Sequence, residues 1–233
     1  TTAIQGVAFS QTLSGAGGVA PYSFQLETGS LPSGITLSSA GLLSGTTSAA
    51  PGSFPVTIRV TDSSTGTGSH FEVENFTLTV SAPPTVSITA APASVNEDGA
   101  ANIVYTVTRT LNLSSPTVVN LATSGSATSG TDYSGAVTTV TIPASATTAT
   151  VTIDPTVDST VEPDETVIVS IAAGTGYTVG APASATATIL NDDVANFSIN
   201  DVTVTEGNSG TTNAVFTVSL SAPAGAGGVS FDI

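Results

Sequence analysis

Apolar and polar residues alternate along this chain in short runs separated by Gly, Pro, Asn and Ser, the pattern of half-buried strands joined by turns. Between residues 84 and 194 the alternation predicts seven strands, at about 85–90, 101–109, 117–123, 137–142, 147–154, 166–172 and 184–190. The sets Ile103/Tyr105/Val107, Val151/Ile153, Val167/Val169/Ile171 and Ala185/Ala187/Ile189 each line one face of a strand. No stretch sustains an apolar period of 3.6, so no helix is expected. Turn-forming residues interrupt the strand text at Ala82-Pro83-Pro84 and at Asn191-Asp192-Asp193-Val194. They divide the chain into segments 1–82, 84–194 and 195–233.

The second and third segments are related. Val86-Ser87-Ile88 recurs as Phe197-Ser198-Ile199, shifted by 111, and Val95-Asn96-Glu97 as Val204-Thr205-Glu206, shifted by 109. Ile103-Val104-Tyr105-Thr106-Val107 returns as Ala214-Val215-Phe216-Thr217-Val218, shifted again by 111. A tandem repeat of about 110 residues has the size of an immunoglobulin-like sandwich. The expected fold is all-β, in tandem immunoglobulin-like β-sandwich domains. Segment 195–233 holds only the first third of the repeat, too little to bury a core alone. The parent protein is therefore expected to continue past Ile233, and the start at Thr1 without an initiator Met also points to a processed or longer chain. The alternative is that a neighbouring chain supplies the missing strands, which would build a filament.

Charge adds a second constraint. Seventeen acidic residues face two arginines, Arg59 and Arg109, and no lysine, for a net charge of −15. Nucleic acid is an unsuitable partner for such a surface. The 39% of hydrophobic residues, arranged in alternating runs, argue against disorder. No Cys is present, which excludes disulfides and thiolate sites. No apolar run approaches the roughly 20 residues of a membrane span, so this segment is not expected to insert in a membrane.

In segment 84–194 the acids gather at Glu97-Asp98, Asp132, Asp158 with Glu162, Asp164 and Glu165, and Asn191-Asp192-Asp193. On an antiparallel sandwich those four places share one pole, because the A–B, C–D and E–F loops and the exit after strand G all lie at the same end. The loops of the other pole, Leu111 to Pro116, Pro143 to Thr147 and Gly174 to Pro182, contain no acid. Two carboxylates about 4 Å apart repel by about 1 kcal/mol in water and about 4 kcal/mol at a protein surface. A cation from outside the chain is the expected remedy. Oxygen-only ligands on flexible loops suit calcium better than magnesium, with enough donors for more than one ion.

The motifs Val-Asn-Glu-Asp-Gly at 95–99, Gly130-Thr131-Asp132-Tyr133, Asp158-Ser159-Thr160-Val161-Glu162-Pro163-Asp164-Glu165-Thr166 and Ile189-Leu190-Asn191-Asp192-Asp193 carry a resemblance. Segment 84–194 resembles a Calx-beta domain, the immunoglobulin-like module named from sodium–calcium exchangers, and segment 195–233 the start of another. The resemblance implies calcium ligands at Glu97, Asp132, Asp158, Glu162, Glu165, Asp192 and Asp193. Asn191 and Ser159 stand where an exchanger domain carries further charge, which implies weaker binding or fewer ions. Segment 1–82 is similar to the Putative Ig repeats of bacterial surface proteins, related to cadherin-like folds. It does so through Ala20-Pro21-Tyr22-Ser23-Phe24, Leu31-Pro32-Ser33-Gly34-Ile35, Gly41-Leu42-Leu43-Ser44-Gly45-Thr46 and Val56-Thr57-Ile58-Arg59-Val60-Thr61-Asp62.

Catalysis is not expected. His70 has no Ser–His–Asp setting, and without lysine no P-loop can form. The expected function is a structural or adhesive stretch of a large extracellular repeat protein on a bacterial cell surface, an adhesin, stalk or filament. Its Calx-beta domains would bind calcium and stiffen the joints with neighbouring domains of the same chain. Other expected partners are further copies in a filament or a cell-surface ligand such as a carbohydrate. A calcium sensor attached to a transporter is a further reading of the exchanger resemblance.

Overall fold

The computed structural model describes residues 1–67, 70–110, 114–222 and 230, and every regular element among them is a strand. The first sandwich comprises β1 (Thr2–Ile4), β2 (Ala8–Thr12), β3 (Ser23–Gly29), β4 (Ile35–Leu37), β5 (Leu42–Thr46), β6 (Gly52–Thr61) and β7 (Phe71–Ser81). One sheet has the order β1-β7-β6-β3 and the other β2-β5-β4. Ala3, Ile35, Leu43 and Leu78 form one buried cluster between them, and Phe24, Val56 and Ile58 a second.

The next sandwich comprises β8 (Thr85–Ala91), β9 (Ser94–Asn96), β10 (Ile103–Thr110), β11 (Thr117–Gly125), β12 (Tyr133–Ser134), β13 (Thr139–Ile142), β14 (Thr148–Pro155), β15 (Glu165–Ile171), β16 (Thr178–Val179) and β17 (Ser184–Leu190). Its sheets run β12-β14-β10-β8-β16 and β13-β11-β15-β17-β9. Val86, Ile88, Ile103, Tyr105, Val107, Val119, Ile142, Ile153, Val167 and Ala187 are among its buried residues, contributed at alternate positions by both sheets. The Tyr105 hydroxyl spans that core and donates to the Val167 carbonyl at 2.6 Å. Burial pushes its pKa up to about 12, so it stays a donor.

The seven strands expected in this region occur as β8, β10, β11, β13, β14, β15 and β17, within a few residues of the predicted bounds. β9, β12 and β16 were not expected, because two or three residues carry no readable alternation. β9 corrects the simple A–B loop. After β8 the chain meets Pro92, which cannot donate to a ladder, and crosses to the other sheet. There it runs parallel to β17, with Ser94 opposite Thr188 and Asn96 opposite Leu190. Glu97 therefore reaches the pole beside the exit strand, its N–H donating to the Leu190 carbonyl at 3.0 Å.

At the opposite pole Leu111 to Leu113 of the expected B–C loop lie outside the described residues. At the same pole Arg109, the penultimate residue of β10, is 1% exposed. Its guanidinium donates to the carbonyls of Ala146, Ser115 and Pro143 at 3.0, 2.6 and 2.7 Å and to Thr117 Oγ1 at 2.6 Å.

In the third segment β18 (Phe197–Ile199) pairs antiparallel with β19 (Val218–Leu220). Phe197 stands opposite Leu220 and Ile199 opposite Val218. The ladder of β8 and β10 sets Val86 opposite Arg109 and Ile88 opposite Val107. Each pair is its counterpart moved by 111 residues, so the repeat seen in the text extends to strand register.

Candidate metal centre

Four connections deliver the acids. Glu97 follows β9 and is only 4% exposed. Asp132 sits in the turn between β11 and β12, which Gly130 permits by adopting φ +89°. The Gly130 N–H donates to the Tyr133 carbonyl, and the Thr128 N–H caps Asp132 Oδ2. Asp158 to Glu165 join β14 to β15. There Asp158 Oδ1 accepts the Thr160 N–H at 2.6 Å, an Asx turn that shapes the loop. Asn191 to Asp193 leave β17.

Carboxylate oxygens of Glu97, Asp158 and Glu162 lie within 4.8 Å of one another, and so do those of Asp132, Glu162 and Glu165. Glu162 belongs to both groups. The structure thus brings five of the seven expected ligand residues into two triads that share one side chain. Asp192 and Asp193 stand outside both. Asp192 Oδ1 lies 3.4 Å from the Asp98 N–H, which donates to it. Asp193 Oδ2 is buried and has no hydrogen-bond partner.

Burial and crowding of like charge set the electrostatics. Burial first, then the carboxylates of Asp158, Glu162, Asp193 and Asp98, push Glu97 up to about 7. Glu165 is likewise raised to about 7 by burial, by its hydrogen bond with Asp132, and by the charges of Asp132 and Glu162. Burial and neighbouring acids also raise Glu162 and Asp193. Asp158 moves the other way, because hydrogen bonds from Thr160 favour its charged form. Neither arginine relieves the crowding. Arg59 pairs with Glu27 at 2.7 Å in the first sandwich, and Arg109 occupies the far pole.

The arrangement fits calcium. All donors are oxygens, and those of each triad lie within the 4.8 Å that two ligands on opposite sides of a cation bound at about 2.4 Å can span. The unpartnered Asp193 Oδ2 adds a buried acceptor that lacks any donor of its own. The concavity enclosed by Glu97, Asp132, Glu162, Pro163, Glu165, Ile189 and Asn191 is narrow, about 10 Å³, which suits an ion and not an organic ligand. A much larger cavity, about 540 Å³, lies elsewhere, in the first sandwich among Ser14 to Gly18, Tyr22, Phe71, Glu72 and Glu74.

Two residues that sequence reasoning left out of the ligand set organise it. Asn191 Oδ1 accepts the Glu162 N–H at 3.2 Å, and Asn191 Nδ2 donates to the Asp193 carbonyl at 3.0 Å. Asp164 Oδ1 accepts the Asn191 N–H at 3.1 Å. The sequence signal was present as the substitution of an amide for an acid. An amide offers both a donor and an acceptor, whereas a carboxylate only accepts.

Comparison with known proteins follows the same division of the chain. Residues 1–81 match the family model described as Putative Ig domain, and residues 79–193 match Calx-beta domain. Among solved structures the chain is similar to the apo-form Calx CBD1 domain, at 25% identity and TM-score 0.40, over 46% of this chain and 98% of that one. It is similar to CBD12 from CALX1.2 at 24% identity and TM-score 0.40, over 48% of this chain and 49% of that one. Extracellular cadherin domains 3–6 of protocadherin gamma B2 match at 13% identity and TM-score 0.31, over 94% and 53%. This chain thus spans about half the length of the latter two. No curated protein matches it.

Proposed function

We propose, for a chain that carries a Calx-beta domain at residues 79–193 behind a Putative Ig domain at 1–81, that its acidic pole binds calcium and stiffens the passage into the segment that follows. The two domain types support a structural or adhesion-type extracellular module, and neither is an enzymatic family. No helix among the described residues is long and apolar enough to cross a membrane. The adhesin, stalk or filament role on a bacterial surface is our reading of that module.

The observation that carries calcium is the pair of carboxylate triads sharing Glu162, with no cation of the chain near them. Glu97, Asp158 and Glu162 would hold one ion and Asp132, Glu162 and Glu165 a second, with Asp193 beside them. Bound calcium would supply positive charge that lets these crowded carboxylates ionise together. The stiffening follows from position: Asp192 and Asp193 precede β18 by a few residues, so fixing them fixes the start of the next segment. Extracellular calcium modules bind at about 10⁻⁴–10⁻³ M, and free calcium 100-fold above the dissociation constant stabilises a one-site fold by about 2.7 kcal/mol. Melting the protein with calcium and with chelator tests this, alongside small-angle scattering of both states. A higher melting temperature and a narrower distribution of shapes are expected with calcium; identical melts and identical scattering defeat the proposal.

A second reading rests on the cavity of the first sandwich, where Tyr22 and Phe71 lie beside Glu72 and Glu74. Aromatic faces next to carboxylates suit a carbohydrate, which would make this a ligand-gripping adhesin module. A glycan array probed with the protein decides that reading, and loss of any signal on Tyr22→Ala would place the sugar there.

A further inference from the structure

The chain brings no arginine to this pole, so the repulsion among its acids falls to the neutral groups around them. We infer that Asn191 is a positioning residue, a neutral latch that ties the Asp158–Glu165 loop to the exit of β17 and keeps the acidic pole assembled before an ion arrives. Its calcium-related part rests on the function proposed above.

Three contacts converge on this one residue. Its side-chain oxygen accepts from the N–H of Glu162, the carboxylate common to both triads. Its side-chain nitrogen donates to the carbonyl of Asp193, whose Oδ2 is the buried acceptor without a partner. Its own N–H is held by Asp164, so that acid is committed to the main chain and not to the cage. An aspartate at 191 could keep the bond from Glu162 but would turn the contact with the Asp193 carbonyl into a repulsion between acceptors. It would also add charge to a pole that already pushes Glu97 and Glu165 up to about 7. The amide makes the opposite exchange: one ligand fewer, and a loop ordered in advance. Preorganisation of this kind raises affinity by lowering the ordering cost of binding.

The test measures hydrogen exchange of residues 158–165 in chelator, for the wild type, Asn191→Ala, Asn191→Asp and Asp164→Ala, with exchange in β10 and β15 as the control for an intact fold. Losing a hydrogen bond worth about 1.4 kcal/mol corresponds to about tenfold faster exchange. Asn191→Ala is expected to show it at Glu162, Asn191→Asp and Asp164→Ala a smaller rise because the acceptor for the Glu162 N–H survives in both, and β10 and residues 166–171 of β15 stay protected. Asn191→Ala is also expected to weaken calcium binding by about tenfold in titration calorimetry, although it removes no charge. Unchanged loop exchange in Asn191→Ala overturns the latch. A wild type that binds no calcium overturns the proposed function alone, because the exchange experiment needs no ion.

Discussion

The two poles of the second sandwich solve the same problem with opposite charges. At one end Arg109 is buried and spends its N–H groups on three carbonyls and one hydroxyl, drawing the chain at Ser115, Pro143 and Ala146 around a single internal cation. At the other end four connections bring carboxylates together and the chain supplies no cation. A buried cation with neutral acceptors is permanent, since arginine does not lose its proton. A cluster of anions is conditional, because its charge depends on pH and on what is dissolved outside. A sandwich can thus have one end fixed by its sequence and the other left to its surroundings. The third segment has Leu220 where the register of β19 would place the equivalent of Arg109, so the permanent end is not copied with the repeat.

The largest expected effect comes from removing the permanent cation. Arg109→Ala leaves three carbonyls and the buried Thr117 hydroxyl without donors and opens a cavity where a buried side chain stood, and is expected to cost about 3–5 kcal/mol. Urea unfolding measures it, and the loss should be the same in calcium and in chelator. A loss that calcium repairs would mean the two poles are coupled.

At the conditional pole the expected effects are smaller and depend on the ion. Glu162→Gln touches both triads, so the stabilisation of about 2.7 kcal/mol expected at 100-fold excess calcium should vanish. In chelator the same variant should melt higher than the wild type, because one charge leaves the crowd. Glu97→Gln disturbs only one triad and should leave a partial response in calorimetric titration. Equal responses of the two variants would argue against a shared ligand.

Titration sharpens the contrast further. Glu97 and Glu165 have folded-state pKa values near 7 against an ordinary 4.5. Between those values the folded state holds protons that the unfolded state has lost. The stability these two groups contribute in chelator is therefore fullest below pH 4.5 and is lost as the pH rises through 7. Calcium needs these groups ionised, so its binding should strengthen over the same range and release protons. Melts from pH 4.5 to 7.5 should show the gap between calcium and chelator widening with pH. A gap that narrows would reverse the assignment of the raised groups to the site.

Much of this was legible in the text. Alternation at Ile103/Tyr105/Val107 and Val167/Val169/Ile171 located the sheets because period two is a local property of each strand. The polar placement of the acids followed from antiparallel connectivity alone. What stayed hidden depends on contacts between distant residues. β9 is too short to alternate, and its pairing with β17 is a ladder between residues about 94 apart in sequence. Arg109 reads as one polar residue at the end of an apolar strand, and only the fold reveals the carbonyls that surround it. Asn191 looked like a weakened ligand, since the text shows a missing charge but not the Glu162 N–H and Asp193 carbonyl that need an amide.

The smallest expected effect concerns the other arginine. Arg59 bonds Glu27 at 2.7 Å and lies 4.4 Å from the Phe71 ring centroid, but both charged side chains are about one third exposed. A cation in that setting is screened and its partner remains hydrated when it goes, so Arg59→Gln should cost less than about 1 kcal/mol, and less again at high salt. Arg109→Ala should be insensitive to salt by the same reasoning, since Arg109 is itself buried and its partners are neutral. Running both variants through urea unfolding at low and at molar salt separates a surface cation from a structural one. If Arg59 proved as costly as Arg109, burial would not be what makes the permanent pole permanent.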